Sequence, residues 1–187
     1  MKIVLSALTA VLAASSLLAQ QPKKPQPAHP EMTAPKAGPE HDILKEEVGD
    51  WDATVEMLTP PGIPPSTGEE KCTLMGGLWV ITDFRGDFAG HPFYGHGTIG
   101  WNPIKKKYVS TWVDSMATSI GFGESTYDAA KKTMVGVFEG PDETGKMIKM
   151  KSVVEWKSGD NRVFTMSQIG PDGKDVPTLR ITYRRKK

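Results

Sequence analysis

Cysteine is almost missing from this sequence: Cys72 stands alone among 187 residues. A lone thiol closes no internal disulfide, so the fold is held by its core and not by crosslinks. An excess of either charge is missing too, with 23 Lys and Arg against 22 Asp and Glu. So even a balance makes no case for nucleic acid or an anionic membrane surface as partner. Histidine is scarce, at four residues. His91 and His96, with Asp83 or Asp87 beside them, match no compact zinc signature. The sequence lacks a Gly-x-Ser-x-Gly elbow, a Walker phosphate loop and a His-Glu-x-x-His pair. No metal site, no cofactor and no named reaction is expected from it. After the first twenty residues no stretch is apolar enough to cross a bilayer as a helix.

What is present begins with the leader. Lys2 precedes the apolar run "IVLSALTAVLAASSLL", and "LLAQQ" offers a cleavage site after Ala19, with "AASS" a second possibility. Residues 1–19 therefore read as a secretory signal peptide. The run falls short of the ~20 apolar residues of a spanning helix, and no cysteine follows it to carry a lipid. An exported protein is expected, periplasmic or secreted, with no membrane insertion after cleavage. Without the leader, which holds one Lys and no acid, basic and acidic residues stand at 22 each. Residues 20–39, "QPKKPQPAHPEMTAPKAGP" with its preceding Gln, are rich in Pro and offer little to bury; they read as an extended spacer. Residues 40–187 form the folded domain, long enough to bury a core unaided.

That domain carries many turn formers; Gly and Pro number 19 and 15 in the chain. It opens on "EHDILKEEVGDWDATVEML", residues 40–58. Pro39, Glu40 and Asp42 suit a helix start, Leu44 and Val48 share a face, and Gly49 suits a helix end. A helix of about ten residues is expected. From Trp51 the period changes to two, which predicts a first strand. Nine more strand segments follow: "EEKCTLM", "GGLWVITDFRG", "GHPFYGHGTIGWN", "KYVSTWVD", "SIGFGEST", "TMVGVFEG", "KMIKMKSVVEWK", "NRVFTMSQI" and "PTLRITYRR". Turn-forming segments such as "NPIKKK", "YDAAKK", "GPDETG", "SGDN" and "GPDGKD" separate the later ones. Short connections pair each strand with its neighbour. The expected fold is all-β: an antiparallel up-and-down barrel of about ten strands, whose closure removes exposed edges, with one short N-terminal helix.

A helix followed by Gly-x-Trp at the first strand suggests a sealed barrel end, with Trp51 filling the base. The pattern resembles the lipocalin and calycin one, in which an Arg of the last strand stacks on that indole. Gly49-Asp50-Trp51 supplies one half, and Arg180 or Arg184 is expected to supply the other. Over residues 40–185 the resemblance is closer. "EHDILKEEVGDWDATVEM", "STGEEKCTLMGGLWVITDFRG", "GTIGWNPIKKKYVSTWVDSM" and "ITYRR" resemble the bacterial proteins grouped as domain-of-unknown-function family 1579. The resemblance implies a calycin-like barrel, often exported, with no established activity. Haem-binding barrels of a related kind use a histidine near their C-terminal strands; none follows His96 here, which argues against haem.

The densest polar and aromatic region runs from residue 79 to 116. Trp79 and Asp83, then Tyr94, His96 and Thr98, then Tyr108, Ser110, Trp112 and Asp114 each share a face of one strand. Such faces could line a cavity, and Trp79, His96, Trp112 and Asp114 are the expected lining for a small, partly apolar molecule. Alternation alone does not say which face is inside, so an outward-facing wall or a filled interior remains open. Gly95 and Gly97 flank His96; a bend of the strand is the favoured reason, close approach of another group the other. Cys72 is expected to act as a small buried hydrophobe. Two rival functions stand beside ligand binding: a non-catalytic module that meets another envelope protein, and a hydrolase-type enzyme with His96 and Asp114 as acid–base pair.

Overall fold

The computed structural model describes residues 33–187 except 89, 143 and 171; the expected signal peptide and most of the expected spacer lie outside the described residues. A 3-10 turn, Pro39–His41, leads into α1, Asp42–Glu47. Ten strands follow: β1 Gly49–Met57, β2 Ser66–Met75, β3 Trp79–Phe88, β4 His91–Asn102, β5 Lys107–Asp114, β6 Gly121–Asp128, β7 Thr133–Pro141, β8 Met147–Ser158, β9 Asn161–Ile169 and β10 Asp175–Arg185. Each strand pairs antiparallel with the next in sequence, and β10 closes on β1. The fold is thus a closed, up-and-down, calycin-like β-barrel. Every strand expected from the sequence is present, with β2 beginning three residues early, inside the expected loop.

The turns carry their own chemistry. The carboxylates of Asp128, Asp142 and Asp172 and the amide oxygen of Asn102 each accept from backbone N–H groups two to four residues on. A short polar side chain satisfying its own turn is the reason Asn and Asp sit there.

Register sorts the wall into two faces. Trp51 lies opposite Glu70 on β2 and Arg185 on β10, and Ala53 opposite Gly68 and Tyr183. Since Trp51 is fully buried, this row faces inward, and every second residue along each strand follows it. Around the barrel the inner face carries Val80 and Phe84, then Gly95 and Gly97, then Tyr108 and Trp112, then Gly121 and Ser125. Met134 and Phe138, Ser152 and Trp156, Arg162 and Phe164, and Ile181 and Tyr183 complete it.

The helix is shorter than expected. Val48 is already extended and Gly49 has φ +136°, a conformation that favours glycine. Leu44 and Ile43, not Leu44 and Val48, pin α1 to the barrel end; Leu44 is 1% exposed. Tyr108 Oη donates to the carbonyl of Glu40 at 2.6 Å, which fastens the turn before the helix.

Candidate functional site

At the helix end, the inner face is a sealed ionic floor. Trp51 donates its indole N–H to the carbonyl of Glu47 at 2.8 Å, using an orphan acceptor of the helix C-terminus. The guanidinium of Arg185 lies 4.1 Å from the centre of the same indole, and that of Arg162 4.5 Å. Arg185 donates to the carbonyls of Val48, of Glu46 at 2.9 Å and of Gly159 at 3.0 Å. A Cβ on residue 49 would collide with that guanidinium. The Gly-x-Trp motif is therefore one device: glycine admits the arginine, and the arginine ties helix end, indole and the β8–β9 turn together.

These cations differ from the expected ones. Arg180 and Arg184 point outward on β10, because Leu179, Ile181, Tyr183 and Arg185 take the inner phase. Arg180 lies 3.9 Å from Glu56 on the outer wall. Arg162, on β9, was not singled out in the sequence, yet it is buried and ion-pairs with both Glu47 and Glu70. Arg162 and Glu70 each share the phase of apolar residues, Phe164 and Met166 for one, Cys72 and Leu74 for the other. A charge in apolar phase is the signal that could have found this pair.

Burial pushes the Glu70 carboxyl up to about 7, while hydrogen bonds from Cys72 and Tyr183 draw it back. It also lowers Arg162 to about 10 and raises the Tyr183 phenol well above its usual range. The Cys72 thiol, 3.3 Å from a Glu70 oxygen, is raised by burial and by that carboxylate, so it stays protonated. It is a buried small side chain, as expected. Glu47, Glu70 and Cys72 bring donor atoms within 4.8 Å of one another. The set does not fit a metal ion, because the Arg162 guanidinium already stands between both carboxylates as counter-charge. Two buried donors of the floor, Arg162 Nε and Trp156 Nε1, have no acceptor among the described residues.

Toward the other end the inner face changes character. Ser110, Trp112, Ser125, Phe138, Met150, Ser152, Phe164 and Met166 point inward yet remain half-buried. Residues at mid-barrel keep accessible surface only where the interior is open. Strand number makes the space: an interior of about eight strands is just filled by side chains or holds one small ligand, and diameter grows with strand count.

Glycines widen it further. The Trp112 indole lies flat over Gly95 and Gly97, Phe138 over Gly121 and Gly140, and Phe84 over Gly68 and Gly86; a Cβ at any of these glycines would run into the ring. Gly95 and Gly97 therefore serve the close approach of Trp112 and not the expected bend of the strand. Each large ring folds back along the wall. Trp112 is fixed there by donating its N–H to Asp114 Oδ2 at 3.0 Å, while Asp114 Oδ1 accepts from the backbone of Met116 at 2.9 Å.

The four expected lining residues split. Trp112 and Asp114 face the lumen. Trp79 lies on the outer face against Gly100, and His96 points out, 50% exposed, with its Nδ1 2.8 Å from Asp83. On β3 it is Val80, Thr82 and Phe84 that take the inner phase, which turns Trp79 and Asp83 outward. His96 and Asp114 thus stand on opposite faces of the wall and form no pair. They meet only at the edge of an outer depression of about 420 Å³, which Arg85, Tyr94, Val113 and Ser115 also border.

A closed ten-stranded antiparallel barrel, with an arginine-clamped tryptophan at one end and an aromatic-lined lumen at the other, defines a calycin-like β-barrel protein. The chain belongs to the family described as "Protein of unknown function (DUF1579)", which matches residues 36–185. No curated protein matches it. Among solved structures it is similar to Rv2717c from M. tuberculosis, at 11% identity over 81% of this chain and 100% of that one, with a TM-score of 0.59. It is also similar to the S-type phycobiliprotein lyase CPES from Guillardia theta, at 11% identity over 79% and 93%, with a TM-score of 0.51. Identities this low speak to the fold alone.

Proposed function

We propose that this protein is an exported binding barrel that holds a small, partly apolar molecule in its lumen. The observation that carries the reading is the half-buried inner face of β5–β9 beside a floor that is fully packed. A filled barrel would bury both alike. Flat aromatic rings seated on glycines present apolar surface without occupying the space, the build of a pocket that shelters a ligand.

The test uses Nile red, an uncharged apolar dye. Its emission should rise saturably on mixing with the purified chain, and Trp112 fluorescence should be quenched in step. Ser152→Trp sets an indole across the lumen and should abolish both signals while leaving thermal unfolding cooperative. Undiminished binding to Ser152→Trp would move the site out of the lumen. Export rests on the leader at residues 1–19; N-terminal sequencing of the protein recovered from the periplasm or medium should begin near Gln20.

A second reading is favoured by the outer wall near the open end. Tyr94, Met116, Ile120 and Phe122 are all at least 42% exposed there. Apolar side chains grouped in the open suit a module that meets another envelope protein. In that case Phe122→Ser would weaken association and leave dye binding intact.

A further inference from the structure

Resting on the lumen reading above, we infer that the lumen selects an uncharged ligand carrying a hydroxyl or carbonyl oxygen, and turns away anions. Formal charge is the first ground. Above the floor, the inner faces of the described strands carry no Lys or Arg, and Asp114 is their one carboxylate. His91 stands only at the rim, exposed. The two guanidinium groups inside the barrel are already committed: Arg162 to Glu47 and Glu70, Arg185 to three backbone carbonyls. An anion entering the lumen would leave its water, find no free cation, and approach the Asp114 carboxylate. A buried charge without a partner is strongly disfavoured.

The second ground is what the lumen does offer. Ser110, Ser125 and Ser152 face inward on β5, β6 and β8, half-buried, and their hydroxyls have no hydrogen-bond partner among the described residues. Ser125 and Ser152 lie on one row of the barrel, joined through Gly136. These hydroxyls remain accessible, unlike the sealed donors of the floor. Between the Trp112 and Phe138 rings and the Arg162 floor they form a belt of neutral donors and acceptors. A hydrocarbon would leave that belt unpaired; an alcohol, ketone or ester oxygen at mid-length would satisfy it.

Displacement of Nile red by four eleven-carbon probes tests the inference: undecane, dipentyl ketone, undecanol and ionised undecanoate. Undecanol and dipentyl ketone should displace the dye at concentrations at least about tenfold lower than undecanoate. In the Ser110→Ala/Ser125→Ala/Ser152→Ala variant, the preference for dipentyl ketone over undecane should fall by about fivefold or more. Asp114→Asn should narrow the gap between undecanol and undecanoate. Undecanoate binding as tightly as undecanol would overturn the inference, and so would an unchanged ketone-to-undecane ratio in the triple variant. Failure of Nile red to bind at all would instead overturn the lumen reading on which it rests.

Discussion

The two ends of this barrel solve opposite problems with the same kinds of residue. At the helix end an aromatic, Trp51, is stacked on two cations and its one polar atom is bonded to a helix carbonyl. At the open end an aromatic, Trp112, is pressed flat on two glycines and its polar atom is bonded to a carboxylate on its own strand. The first indole fills space and the second vacates it. What differs is the neighbour on the adjoining strand: bulky, charged side chains against Trp51, hydrogen atoms against Trp112. On the proposed reading the barrel is solid at one end and hollow at the other without any change in backbone architecture. Stability should reside in the floor, and binding in the lumen.

The largest effects should separate those two roles. Trp51→Ala is expected to cost about 3–5 kcal/mol, the usual range for deletion of a buried large aromatic. Arg162→Met should cost a similar ~3–5 kcal/mol, because Glu47 and Glu70 would stay buried with no counter-charge. Trp112→Ala removes a half-buried ring and should cost only about 1–2 kcal/mol at ~25 cal/mol per Å² of apolar surface, while Nile red binding is lost. Urea unfolding of the three variants measures this directly. Equal costs for Trp51→Ala and Trp112→Ala would mean that the interior is packed throughout.

A smaller effect probes the glycine seats. Gly97→Val drives a branched side chain into the Trp112 ring and the carbonyl of Thr111. The expected cost is about 1–3 kcal/mol, typical of overpacking, and the displaced indole should change its fluorescence maximum. Were Gly97 merely a bend, its replacement would leave the Trp112 spectrum alone.

The floor also has a pH signature. The Glu70 carboxyl is raised by burial to about 7 from 4.5. Between those values the folded state holds a proton that the unfolded chain has lost, so stability falls as pH rises through this window. Glu70→Gln removes that titration. Compared with the variant, the wild-type protein should lose melting temperature from acid toward neutral pH. A parallel pH profile for both proteins would show that Arg162 holds Glu70 ionised throughout.

Much of this architecture was legible in the residues. Ten runs of period two between turn segments gave the strands, and short connections gave their order, because local chemistry decides both. Gly49-Asp50-Trp51 gave the floor for the same reason. The site was only half legible. Period two groups Trp79 with Asp83 and Tyr94 with His96 but is silent on which group faces in. That choice is made by packing between strands far apart in sequence, such as Glu70 on β2 against Arg162 on β9. The seat of Trp112 had a local trace, glycines two apart in "YGHG", whose meaning depends on the ring across the strand; the seat of Phe138, Gly121 and Gly140, is split between two strands and had none.

The smallest expected effects decide the phase of the last strand, and with it the whole inner face. Arg180 and Arg184 project outward, and the Arg180 contact with Glu56 is long and exposed. Exposed ion pairs of this kind contribute little, so Arg180→Ala and Arg184→Ala should each shift stability by no more than about 0.5 kcal/mol. Arg185→Ala should cost more, since it removes a cation from the Trp51 face, a contact of about 0.5–2 kcal/mol, and breaks three hydrogen bonds to backbone carbonyls, one of them part-buried. Thermal unfolding of the three alanine variants ranks them. If Arg184→Ala proved the costly one, β10 would be displaced by a single residue relative to β1. Such a slip exchanges the faces of the strand, sending Tyr183 and Ile181 to solvent and Arg180 and Arg184 into the barrel. The interior would then carry free cations, and a preference for anions would follow where exclusion is now expected.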